Sequence, residues 1–255
     1  MKIVVKVGTQ AILAPDGSIL ESVMKNLVQQ LAELKKAGHQ VLLVTSGAVP
    51  SGRRIAREIL EQEFGSTTGE KQLLASLGQH VLLNAYANWF KPFGIATSQI
   101  LLTKQDFKTK QHYLNIARLT KRLLNTPNII PIINENDSVA IEELMFTDND
   151  ELAGLIAMQQ DAHKLIILSS VGGVFDGPPE SPSSKLISIL NARNWPSVSS
   201  SKTALGRGGM FSKLNTAKKA SAFGITVHIA NLDTPNILSR LIQGEPIGTT
   251  ILPTC

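Results

Sequence analysis

Two stretches of this 255-residue chain carry the side chains that could do chemistry, and their charges are opposite. In the first, an apolar run ending at Ile133 leads straight into Asn134, Glu135, Asn136 and Asp137, and a second polar knot, Asp148-Asn149-Asp150, follows another apolar segment. Between Leu123 and His163 there is no Lys or Arg, while Glu135, Asp137, Glu142, Glu143, Asp148, Asp150, Glu151 and Asp161 supply only negative charge. Such a stretch repels itself unless something cationic answers it. From Ser181 to Leu232 the sign reverses: Asp and Glu are absent, and Lys185, Arg193, Lys202, Arg207, Lys213, Lys218 and Lys219 stand among glycines. One half is suited to an amine or a cation, the other to an anion.

The anion side has a recognisable form. Gly206-Arg207-Gly208-Gly209-Met210-Phe211-Ser212-Lys213 is a glycine-rich loop feeding a helix expected to run from Met210 to Phe223. A helix start offers unpaired N–H donors, and Lys213 in its first turn is unfavourable without a bound anion. At the other end of the chain, Lys6 interrupts the apolar strand Ile3–Val7 just before Gly8. Two roles fit it: a lysine leaning out of the sheet into water, or a fixed ammonium for a phosphate, with the Gly8 and Thr9 N–H groups beside it. Alternate carboxylates at Asp148 and Asp150 suit a divalent cation, a pair of lysines or the cap of a helix.

Other chemistries lack their patterns. Neither Gly-x-x-x-x-Gly-Lys-[Ser/Thr] nor a Gly-x-Gly-x-x-Gly opening the first helix is present. The histidines, His39, His80, His112, His163 and His228, show no paired ligand spacing, so a zinc site is not expected. Ser46 follows a strand in Thr45-Ser46-Gly47 but lacks the Gly-x-Ser-x-Gly of a nucleophile elbow. The single cysteine, Cys255, excludes an internal disulfide. A net charge of +5 suits an anionic ligand, whereas 5% aromatic content leaves little to stack on bases, so nucleic acid is not expected as a main partner. No segment approaches the length of a membrane helix and none resembles a signal peptide, which makes a cytoplasmic protein without membrane contact the default.

The elements that must position these groups alternate along the chain. Strands are expected at Ile3–Val7, Val41–Val44, Ile95–Leu102, Ile129–Ile133, Lys164–Ser169 and Thr226–Ala230. Helices are expected at Leu20–Ala37, Arg53–Phe64, Glu70–Trp89, Tyr113–Leu124, Leu152–Gln160 and Met210–Phe223, with Leu73, Leu74, Leu77, Val81, Leu82 and Ala85 on the apolar face of the 70–89 helix. That alternation predicts an α/β protein, an open and mainly parallel sheet with helices on both faces. Its strand ends are where ligands gather, and four of them carry unusual polar residues: Lys6 to Thr9, Thr45 to Gly47, Asn134 to Asp137, and Ser169-Ser170. Any seam between lobes falls near residues 161–164, inside one folded unit.

Taken together, Val5-Lys6-Val7-Gly8-Thr9, Val44 to Val49, Lys71 to Gln79, Leu101-Leu102-Thr103, Pro131 to Asp137, Asp148-Asn149-Asp150 and Gly208-Gly209-Met210 with Lys213 resemble the amino-acid kinase family over almost the full chain. Asn134-Glu135-Asn136-Asp137 with Lys71 to Ala75 points to the glutamate-accepting branch that opens proline synthesis, over the aspartate, carbamate and uridylate branches. The resemblance implies a three-layer α/β/α sandwich, with residues 1–163 forming a lobe for L-glutamate and residues 164–255 a lobe for ATP. It implies transfer of the γ-phosphoryl group to the γ-carboxylate, giving an acyl phosphate. Lys6 and Lys213 would neutralise the transferring phosphoryl and Asp150 would organise them. Ser46, Gly47, Ala48, Asn134, Asp137, Asp148 and Asn149 would hold glutamate. Lys6, Gly8, Ser169, Ser170 and the run Arg207, Gly208, Gly209, Met210, Phe211, Ser212 and Lys213 would border the nucleotide. Mg2+ would arrive largely on the nucleotide, with no metal site of the protein's own. A homo-oligomer and feedback by proline are family expectations, and the helix at 70–89 suits an interface or the core.

The sequence departs from the family at three places. Ser169-Ser170 stands where Thr-Asp is frequent, Arg207 stands between glycines where a small hydroxyl residue is common, and no RNA-binding-like C-terminal domain of the PUA type follows before Cys255. The first departure keeps alive a regulator without turnover, and the fold alone admits another small acceptor.

Overall fold

The computed structural model describes residues 1–140, 146, 148–191, 194–195 and 209–254. Its centre is β1 (Lys2–Val7), flanked by β2 (Gln40–Val44) on one side and β5 (Lys164–Ser169) on the other, both parallel to it. The chain first fills the β2 side, adding β3 (Ala96–Leu102) and β4 (Ile129–Glu135), then crosses to the β5 side for β6 (Ile189–Leu190), β7 (Thr226–Asn231) and β8 (Thr249–Ile251). The sheet order is β3-β4-β2-β1-β5-β7-β8-β6, and among these strands of the described residues only β7 and β8 pair antiparallel. The expected open, mainly parallel sheet is what forms, and it runs unbroken across the expected seam at residues 161–164. β1 is therefore the point where strand order reverses, the place in such sheets where a crevice opens at the carboxyl ends.

Alternation along the strands makes the two faces. Ile3, Val5 and Val7 enter one core layer, covered by α2 (Glu21–Lys36), α4 (Thr68–Phe90) and α9 (Ile237–Ile242). Val4 enters the other, covered by α6 (Lys110–Asn125), α7 (Asn149–Gln159) and α8 (Met210–Ala222). Lys6 has the parity of Val4, so its side chain lies on the α7 and α8 face. Short helices α1 (Thr9–Ile12) and α5 (Lys104–Lys108) follow β1 and β3, and α3 (Ala48–Ile59) follows β2.

Three expectations change. The helix after β2 starts at Ala48, five residues before Arg53, because Gly47 takes φ of +105° and turns the chain directly off the strand. The helix after the Asp148 knot starts at Asn149, so Asn149 and Asp150 are its first residues. In α4 the buried face is Leu74, Gly78, Leu82, Tyr86 and Phe90, spaced by four, and Leu73 is exposed. That face is set by a close crossing: a Cβ on Gly52 would lie 1.8 Å from the Leu74 carbonyl oxygen, and one on Gly78 would lie 1.9 Å from that of Ala48. Backbone therefore meets backbone between α3 and α4. The elements α1, α5, α9, β6 and β8 are too short for the periodicity that revealed the others.

Candidate active site

At the carboxyl end of β1, Lys6, Asp150 and Lys213 meet with 4%, 0% and 8% of their surfaces exposed. Lys6 Nζ lies 2.5 Å from Asp150 Oδ1 and Lys213 Nζ lies 2.8 Å from Asp150 Oδ2, so each carboxylate oxygen takes one ammonium. Burial pushes the Asp150 carboxyl up, but the two ammoniums outweigh it and hold the group below its usual range. Taken alone, these three side chains carry one positive charge in excess, and the Asp148 carboxyl lies close enough to interact with both ammoniums. The cluster also sits between two helix starts, where partial positive charge accumulates, so an anion is the missing complement.

Local structure brings these residues together. Asp148 caps α7, its Oδ1 accepting the N–H groups of Asp150 at 2.9 Å and Glu151 at 3.2 Å. A Cβ on Gly154 would lie 2.6 Å from Thr216 Cγ2, so the glycine lets α8 approach α7 and sets Lys213 against Asp150. Burial, and then the charge of Asp150, raises the Asp148 carboxyl.

Beside the ion cluster runs a chain of neutral amides. Asn149 Nδ2 donates to the Thr45 carbonyl and to Asn134 Oδ1, each at 2.9 Å, and Asn134 Nδ2 donates to Gln79 Oε1 at 2.8 Å. The Thr45 hydroxyl also pairs with the Tyr86 hydroxyl at 2.9 Å, so α4 holds both ends of the chain. Gln79 opens onto a cavity of about 270 Å³ between α4 and the carboxyl ends of β3 and β4, whose walls include Ala48, Ser76, His80, Gln99, Glu135 and Asp137. Burial raises Asp137 to about 6 and Glu135 to about 7, even though Glu135 accepts the Phe146 N–H at 2.9 Å. A cation bound in this cavity would favour the ionised form of both carboxyls.

The amino acid kinase family model matches residues 1–231. The chain belongs to the amino acid kinase family. Glutamate 5-kinase from Bacteroides thetaiotaomicron is 42% identical over 257 residues, a match spanning 99% of this chain and 70% of that protein. Glutamate 5-kinase from Chlorobaculum tepidum is 44% identical over 256 residues, spanning 98% and 69%. The crystal structure of UMP kinase from Bacillus anthracis superposes with a TM-score of 0.67 over 100% of this chain and 96% of that one, at 17% identity, a likeness of fold.

Within this amino acid kinase, the sequence-predicted residues fall into three groups. Lys6, Asp150 and Lys213 converge as one cluster. Ala48 and Asp137 line the cavity, while Asn134 and Asn149 form the amide chain beside it; the Ser46 hydroxyl is 2.8 Å from that of Thr9, linking the ends of β2 and β1. The third group is less directed. One oxygen of Asp148 is committed to the α7 cap, and the Ser169 hydroxyl bonds locally to Val171. Ser170 and Phe211 are exposed, Gly209 caps α8 with open space where a Cβ would stand, Met210 packs against the core, and Ser212 is buried next to Lys213. Arg207 and Gly208 lie outside the described residues. The Gly8 N–H donates to the Leu168 carbonyl at 3.2 Å, so this donor closes the sheet, while a Cβ on Gly8 would lie 3.6 Å from Lys6 Nζ. Gln79, Thr45 and Tyr86 were given no role from the sequence, although Thr45 and Gln79 both fall in segments that carry the family resemblance.

Proposed function

We propose that this protein transfers the γ-phosphoryl group of ATP to the γ-carboxylate of L-glutamate, giving γ-glutamyl phosphate. The observation that carries the proposal is the buried Lys6–Asp150–Lys213 cluster at the switch point of the sheet, in a chain 42–44% identical to curated glutamate 5-kinases. Phosphoryl transfer depends on positioning and charge neutralisation, and the cluster supplies two ammoniums already aimed and already desolvated. A carboxylate acceptor is ionised at neutral pH and needs no general base.

Glutamate would occupy the 1–163 side, with Asp137 receiving its ammonium and Asn149, Asn134, Ser46 and the Gly47-Ala48 turn surrounding it. ATP would occupy the 164–255 side, from the end of β5 to the start of α8. Among the described residues no three His, Cys, Asp or Glu side chains are grouped to cage a metal, and Asp150 is committed to the lysines. With Asp150 so engaged, Mg2+ would arrive on the nucleotide phosphates, where it would offset phosphate charge. Proline as a competitor for the glutamate site, a homo-oligomer and a cytosolic location belong to the same proposal.

Purified protein with ATP, Mg2+ and hydroxylamine should form a hydroxamate that depends on glutamate and not on aspartate. Well-folded protein that forms none across a broad range of ATP and metal concentrations overturns the proposal.

A further inference from the structure

The amide chain has a direction, and backbone groups impose it. The atom of Asn134 that lies 2.9 Å from the Glu135 N–H faces a group that can only donate, so it is Oδ1. The other end of that amide is then Nδ2, and Gln79 must turn Oε1 toward it. At the far side, the atom of Asn149 that lies 2.9 Å from the Thr45 carbonyl faces a group that can only accept, so it is Nδ2, and its second hydrogen goes to Asn134 Oδ1. No amide in the series can flip by itself without setting donor against donor or acceptor against acceptor.

Two ends follow. Asn149 Oδ1 is buried and has no partner, an acceptor awaiting a donor. Gln79 Nε2 is a donor on a partly buried residue of the cavity wall, which it shares with Glu135 and Asp137. A zwitterionic amino acid presents the complementary pair, an ammonium and a carboxylate on one carbon.

Building on the glutamate assignment, we propose that Gln79 is the residue that receives the α-carboxylate of the acceptor amino acid through Nε2, with Glu135 N–H and Thr45 C=O fixing its polarity through Asn134 and Asn149. Gln79 acts on substrate orientation and takes no part in the transfer itself. The α-carboxylate then anchors at α4, Asp137 and Asn149 Oδ1 take the ammonium, and the γ-carboxylate is left to reach the lysine cluster. Because Nε2 is held as a donor by a chain with a single allowed direction, an acceptor whose α-carboxylate is exchanged for a neutral carboxamide keeps one weaker acceptor oxygen, brings an NH2 that Nε2 cannot pair with, and should bind less tightly.

The test compares L-glutamate with L-isoglutamine, which carries an α-carboxamide and retains the γ-carboxylate, in the hydroxamate assay. The wild-type enzyme should show KM at least tenfold higher for isoglutamine. Gln79→Glu keeps an acceptor for Asn134 Nδ2 and replaces the donor by an anionic oxygen. This variant should raise KM for glutamate at least thirtyfold, leave kcat within about threefold and KM for ATP unchanged, and reverse the preference in favour of isoglutamine. Gln79→Leu should raise KM for glutamate without reversing the preference. Wild-type enzyme that uses the two acceptors equally well overturns the proposal, and so does a Gln79→Glu variant that lowers kcat or weakens ATP to the same degree as glutamate. Wild-type enzyme with no glutamate-dependent product would instead overturn the assignment on which the proposal rests.

Discussion

Two buried polar clusters lie side by side at the carboxyl ends of the central strands, and they solve the problem of burial in opposite ways. The Lys6–Asp150–Lys213 cluster is fully charged and internally paired, and what it lacks is an anion. The Gln79–Asn134–Asn149 chain is neutral and directional, and the carboxyls next to it, Glu135 and Asp137, have their ionisation pushed toward neutral pH. Point charges without fixed direction suit a phosphoryl group whose charge redistributes during transfer. Oriented amides suit a ligand that must be held in one pose. Under the proposed function, the difference would separate chemistry from recognition within a few side chains.

The largest break in that separation should come from Asp150→Ala. Removing the carboxylate that both ammoniums share leaves them buried without that bridge, which should cost about 3–5 kcal/mol in urea unfolding and lower kcat by about 10³-fold. The stability contributed by Asp150 is present at neutral pH and is lost as pH falls through its depressed folded pKa. On the recognition side, Gly78→Val drives side-chain atoms into the Ala48 carbonyl and forces α3 and α4 apart, an overpacking expected to cost about 3 kcal/mol, read by urea unfolding.

A smaller effect distinguishes the clusters by pH. Asp137 must be ionised to accept an ammonium, and burial raises it to about 6. KM for glutamate should therefore increase about tenfold for each unit that pH drops below 6, and Asp137→Asn should flatten that limb in an initial-rate pH series. The stability sign is the reverse of that for Asp150. Raised carboxyls bind protons in the folded chain where the unfolded chain has released them, so the contribution of Asp137 and Glu135 weakens as pH rises through 6 to 7. The smallest change is Tyr86→Phe, which deletes the hydroxyl paired with Thr45 and should cost about 1 kcal/mol with kcat unaltered.

Much of this was legible in the sequence because it followed from periodicity and sign of charge. A lysine inside the apolar strand Ile3–Val7, an acidic stretch without cations and a basic stretch without acids already required partners from distant parts of the chain, and the fold supplies them. Lys213, four residues after Gly209, pointed to its own helix start. What the sequence did not reveal was direction. Gln79 is one polar residue among several on α4, and only the Gly52–Gly78 crossing and the register of β4 show that it meets Asn134. The sequence also did not reveal that the Gly8 N–H at the end of β1 closes the sheet through Leu168. The role of Asp148 as a helix cap was foreseen as one of three possibilities, and only its bonds to the α7 backbone single it out.

The division between the clusters is tested most directly by measuring kcat and both KM values for wild-type, Asp150→Asn and Gln79→Glu enzymes in one hydroxamate assay. The account predicts that Asp150→Asn lowers kcat by at least about 10²-fold with KM for glutamate little changed. It predicts that Gln79→Glu raises KM for glutamate with kcat nearly intact. Two variants that depress the same parameter to the same extent would contradict it.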